Sequence, residues 1–287
     1  MIPPFDLISR KARQRLVGEV RALFNDQERG EQPVQRCEDG LFGPQSVVWR
    51  VHGDVTSMMV GGVTALLLQM LHPAVLAGVW DHSNFRTDML GRLRRTARFI
   101  AVTSYGSRDD ALAIIARVRE VHNHVSGTLP DGTPYTANDP DLLAWVHVSE
   151  AVSFLDAWIR YAEPAMTVDD QDRYFAEMAM MGEMLGADPV PRNRAEAIAL
   201  ITRFRPALAV TDRTREVARL VLDQKPRSAA SAPIQAMTFQ AAVDLIPAWA
   251  RAMHGLPGPL LTRPLVRAGT YGVAKTLRWA FSDQVTR

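Results

Sequence analysis

Apolar positions recur with a helical period along almost the whole chain. In residues 5–24, Leu7, Leu16, Val20 and Leu23 oppose Arg10, Lys11, Arg13 and Arg15, the pattern of an amphipathic basic helix. Its polar face is either solvated or laid on a membrane surface, and the pattern leaves both open. Residues 26–46, with three Gly and two Pro, read as a loop holding one short turn. Further helices are expected at 88–104, at 109–126 closed by Gly127, from Asp139-Pro140 to about Glu163, and at 168–186, 193–205, 212–223, 234–253 and 258–287. "GTLPDGTPYTANDP" (127–140) is a turn-rich connector. No stretch sustains a period-two alternation, so the expected fold is all-α, a single large multi-helix domain.

One segment breaks the amphipathic pattern. From Val55 to Trp80 there is no charged residue, and His72-Pro73 stand near its end. The run exceeds the roughly 20 apolar residues that cross a bilayer. Gln69, His72, Thr56, Thr64 and Gly61-Gly62 dilute it, Asp54 and Asp81 flank it, and no Lys or Arg cluster sets a topology. A buried core helix is the expectation, apolar all round because other helices surround it. Pro73 should end or bend it and free backbone carbonyls one turn back, an interruption of the kind that lines a cavity.

Composition changes this picture little. A hydrophobic share of 47% and a charged share of 22% are those of a globular protein, and a net charge of +2 calls for no nucleic acid. The single cysteine, Cys37, excludes an internal disulfide and any multi-cysteine metal site, and fits a reducing compartment. The N-terminal "MIPPFDLISRKARQRLVGEV" has no apolar core or cleavage site of a secretory signal, so a cytoplasmic location is expected, with membrane association through the basic helix as the alternative.

The histidines sort by helical face. Ala111, Ile115, Val118, His122 and Val125 fall on one stripe, so His122 points where the apolar side chains point, while His124 shares its face with Arg117 and Glu120. His147 is surrounded by Leu143, Trp145, Val146, Val148, Ala151 and Phe154 and should be buried. A lone histidine on an apolar face is more often a hydrogen-bonded core residue than a ligand. His72, His122 and His147 on three buried helices leave a shared site and three separate core residues equally open. Arg92 and Thr96, four apart, share a helix face, with Arg94, Arg95 and Arg98 elsewhere around it. A solvated basic face explains them. Facing a cavity, the pair would suit an anionic ligand group or a developing negative charge.

Several ordered motifs together carry a resemblance. "LLQMLHPAVLAGVWDHSNF", "GRLRRTARF", "VHNHVSG" followed by "GTPYTANDPDLLAWVH", and "YFAEMAMMGEMLG" resemble the MpaB-type oxygenase family, which includes the latex clearing proteins (rubber oxygenases) and a large set of actinobacterial proteins. The resemblance implies an all-helical domain at 45–255 around a buried b-type haem, preceded by an N-terminal helix and loop (1–44) and followed by a helical tail (256–287). It implies that His122 is the iron ligand, that Arg92 and Thr96 form the family's arginine–threonine pair and act in catalysis, Arg92 also in holding the haem, and that His72 and His147 belong to the haem pocket. Dioxygen and a small-molecule substrate would be the partners. Rubber-cleaving members are secreted and use a carboxylate near the iron. This chain has no Asp or Glu between Val55 and Trp80, so a smaller apolar intracellular substrate is expected instead of polyisoprene. The alternative is a non-catalytic helical protein that binds haem or a hydrophobic ligand.

Overall fold

A computed structural model describes residues 13–22, 30–226, 228–229, 231–256 and 263–281. Of the expected first helix, residues 13–22 form α1; Leu7, Arg10, Lys11 and Leu23 lie outside the described residues. Then follow α2 (Val47–Val51), α3 (Val55–Gln69), α4 (Pro73–His82), α5 (Met89–Tyr105), α6 (Arg108–His122), and a hairpin of β1 (Ser126–Thr128) and β2 (Pro134–Thr136). The second half holds α7 (Pro140–Tyr161), α8 (Val168–Leu185), α9 (Arg194–Phe204), α10 (Asp212–Leu222), α11 (Ala232–Leu245), α12 (Ala248–Met253) and α13 (Arg263–Phe281). The fold is all-α, as the periodicity predicts.

The helix starts are written in side chains. Asp54, Asp88, Ser107, Asp139, Thr167 and Asn193 each accept a backbone N–H of the following first turn, which satisfies donors that a helix start leaves bare. Two expected helices end differently. The one expected over 109–126 stops at His122, and Gly127 is a strand residue, where a Cβ would lie 2.6 Å from the Tyr135 hydroxyl oxygen. The one expected over 234–253 is divided, because Pro247 cannot continue α11 and instead precedes α12. The short α2 carries too few turns to show a period.

At the centre α3 lies against α7. Gly61 allows this: a Cβ there would stand 2.7 Å from the Phe154 ring and 3.0 Å from the Ser153 carbonyl oxygen. α7 is long and apolar enough to cross a membrane, yet most of it is buried within the protein, as a core helix is. The uncharged run is two helices, α3 and α4, meeting at 104°. The last helix closes the body. Arg278 Nε donates to Asp54 at the start of α3 (2.7 Å), and its Nη2 to the Tyr161 carbonyl at the end of α7 (2.8 Å). Buried Asp244 of α11 is met by Arg160 of α7 and by Arg263 and Arg267 of α13.

Candidate functional site: a neutral histidine beside an unpaired arginine

Pro73 opens α4 at its first turn and turns the chain away from α3, as expected. The carbonyls at the bend are not left bare, against the expectation. Leu67 accepts from His254 Nε2 (2.9 Å), Gln69 from Trp145 Nε1 (3.2 Å), and Leu71 from the Ala209 N–H (2.9 Å). Side chains and backbone from three distant segments thus fix the bend. His72, at the corner, sets its ring edge-on to Phe204, with Nδ1 buried and without a partner among the described residues. Desolvation holds its pKa below the usual imidazole value, with Asp139 and Asp141 pulling the other way.

His122 is the last residue of α6, on the stripe where Ala111 and Ile115 are buried and Val118 is half-buried. Its ring makes no hydrogen bond among the described residues, and Nδ1 is fully buried. Desolvation first, and the charge of Arg92 second, push its pKa down, so the ring is neutral and keeps a free lone pair. His124 is exposed, as the face analysis predicts, and lines with His82, Arg117, Glu120, Val121 and Val125 a shallow groove of about 400 Å³ on the outward side of α6.

α5 carries the arginines. Arg94 donates to the Ala22 carbonyl (2.6 Å), Arg95 to Asn84 (3.1 Å) and Arg98 to the Gln32 carbonyl (3.0 Å). Arg92 alone among these four has no hydrogen bond or carboxylate partner among the described residues, although it is largely buried; desolvation, then Arg95, act against its charge. Thr96 is exposed, and its hydroxyl donates to the Arg92 carbonyl (3.3 Å). The structure therefore brings Arg92 to His122, and attaches Thr96 to Arg92 through the backbone.

His147 is 5% exposed, and burial pushes its pKa down to about 4. It packs against Gly182 of α8, where a Cβ would stand 3.1 Å from ring Nδ1, and its Nε2 has no partner among the described residues. His72, His122 and His147 are not gathered into one cluster: among the described residues no group of three His, Cys, Asp or Glu side chains could hold a metal.

A second buried polar group escaped the sequence reading. His52 follows α2, held by Tyr174, whose hydroxyl lies 3.0 Å from Nε2, and by Ser104, whose Oγ lies 2.7 Å from Nδ1. Burial pushes it down to about 3. Nearby Glu150 of α7 has no hydrogen bond or ion pair among the described residues, and burial pushes its carboxyl up to about 7. A five-residue helix gives His52 no readable face. Glu150 did carry a signal, as the one charged residue between Asp141 and Asp156.

Neither a curated protein nor a solved structure matches the chain. The family model described as "ER-bound oxygenase mpaB/B'/Rubber oxygenase, catalytic domain" matches residues 49–279, from α2 through nearly all of α13, and takes in Arg92, His122 and His147. The chain belongs to this mpaB and rubber oxygenase family, and residues 49–279 are its oxygenase catalytic domain.

Proposed function

We propose that the protein is a haem-b-dependent oxygenase acting with dioxygen on a small, apolar, intracellular substrate. The observation that carries this reading is His122: a neutral imidazole on an apolar stripe, which among the described residues makes no hydrogen bond and lies beside a cation with no carboxylate partner. That donor set fits the group. A haem iron needs few protein ligands because the macrocycle supplies the in-plane nitrogens, so one free imidazole suffices. His122 would hold the iron, and the bound haem would supply the redox centre at which dioxygen is activated.

The remaining work falls to the chain's own residues. Arg92 presents a permanent charge that either pairs with a haem carboxylate or stabilises negative charge as it develops on the reactants. Thr96 donates its hydroxyl to the Arg92 carbonyl, which supports the turn carrying that charge. Along α3 a stripe of Val55, Met59, Gly62, Leu66 and Gln69 stays partly accessible on a helix without a charge, a surface suited to an apolar guest. His72, at the bend, belongs to the same wall.

The test is the absorption spectrum of the purified protein and its variants. A Soret band is expected, lost in His122→Ala and kept in His124→Ala. A colourless wild type that takes up no haem on reconstitution overturns the reading, in favour of a binding protein for an apolar ligand.

A further inference from the structure

α7 is enclosed by α2, α3, α4, α8, α9, α11 and α13. Within that enclosure two of its polar side chains, three residues apart and so on one face, have no partner among the described residues. His147 is buried with Nε2 unpartnered. Glu150, half-buried, makes no hydrogen bond or ion pair among the described residues.

Both look onto α8. His147 packs on Gly182, and the charge of Glu150 reaches Tyr174, eight residues earlier on that helix. Two further ionisable groups close to Tyr174 are occupied. Glu177 accepts the Val48 N–H (2.9 Å) and Arg173 Nε (2.9 Å), and His52 is bonded on both nitrogens to Ser104 and Tyr174. Native proteins pair nearly all buried polar groups. Two orphans one turn apart mark the place of an absent group.

We propose that the substrate is an apolar molecule carrying one hydroxyl group, which His147 and Glu150 hold between α7 and α8. The neutral imidazole has one N–H and one lone pair, and the carboxyl always has a lone pair to offer, so the two sites present a donor and an acceptor whichever way Glu150 is protonated. A hydroxyl has one of each. Whenever Glu150 is ionised a ligand carboxylate would meet a like charge, and a plain hydrocarbon would leave both groups unpaired. An ammonium would use only the acceptors.

This inference rests on the oxygenase reading for the purpose of the site, but its test does not. Octanol, octylamine and octanoate are titrated calorimetrically into the full-length protein and its Glu150→Leu and His147→Phe variants. Thermal melts and haem content are measured in parallel. Octanol should bind one per chain, and roughly tenfold or more tighter than octanoate or octylamine. Glu150→Leu should stay folded with unchanged haem and lose that preference. Equal binding of the three probes, tighter octylamine binding, no binding at all, or octanol binding undiminished in a folded Glu150→Leu would each overturn the proposal. Haem loss in His147→Phe would also overturn it, by moving His147 into the haem site. A wild type without haem that still selects octanol through Glu150 would overturn only the oxygenase reading.

Discussion

The indole of Trp145 donates from Nε1 to the carbonyl of Gln69, the last residue of α3, across 3.2 Å. Gln69 returns the contact, its side-chain amide donating to the Val146 carbonyl (3.3 Å). The bend before Pro73 is thereby tied to the middle of the protein. Trp145→Phe keeps most of the ring and removes the donor, leaving a buried carbonyl bare. It should destabilise the fold by about 1–3 kcal/mol in urea unfolding. A loss no greater than that of a surface Trp→Phe change would show that the bend is held without it.

Gly61→Ala tests the closeness of α3 and α7. The added methyl would meet Phe154 and the Ser153 carbonyl, backbone as well as ring, so no side chain can simply turn aside. The expected cost is about 1–3 kcal/mol. Gly62→Ala is the control, since the nearest atom there is 3.8 Å away. Equal melting temperatures for the two variants would refute the packing argument.

Arg92 lowers the pKa of His122 by charge alone, so Arg92→Met should raise it. Imidazole proton shifts followed against pH in the haem-free protein give the answer. In the loaded enzyme the same change should spare most of the haem and cost turnover about 3 kcal/mol of barrier, as loss of a fixed electrostatic donor does. Arg95→Met, which removes an arginine bonded to Asn84, is the comparison. Unchanged turnover in Arg92→Met would remove its catalytic role.

Stability should respond to pH in two opposite ways. His52 and His147 have folded pKa values of about 3 and about 4 against 6.5 unfolded, so their contribution is complete above pH 6.5 and is lost as pH falls towards the folded values. Glu150 is raised to about 7 from 4.5, so the cost of its charge is absent below pH 4.5, grows as pH rises towards 7 and is complete above it. Glu150→Gln should therefore leave stability unchanged near pH 4 and raise it by up to about 3 kcal/mol near pH 8. Denaturant midpoints across that range check the sign. A stabilisation equal at both ends would mean the carboxyl is not held protonated by the fold.

Element by element, the helices were legible where a face persists over several turns and a cap residue stands before it. α5, α7, α8, α9 and α10 begin and end within two residues of their expected bounds. The hairpin after α6 was not legible, because Gly127 serves a close approach to the Tyr135 ring that only the folded chain brings about. His122 could be set apart from His124 by spacing alone. That Arg92, of four arginines on α5, is the unpaired one could not be read, since the partners of the others lie in α1, in the loop before α2 and after α4. The same limit hid His52 and Tyr174, whose pairing joins segments 122 residues apart.

Arg278 bears on how the protein is made as well as on how it stands. Its one side chain joins the first turn of α3 to the last of α7, the two long helices at the centre. During synthesis those helices can form and meet early, but this latch is absent until residue 278 has left the ribosome. Nascent chains halted before α13 should accordingly hold their central pair loosely and fall to proteases that the finished protein resists.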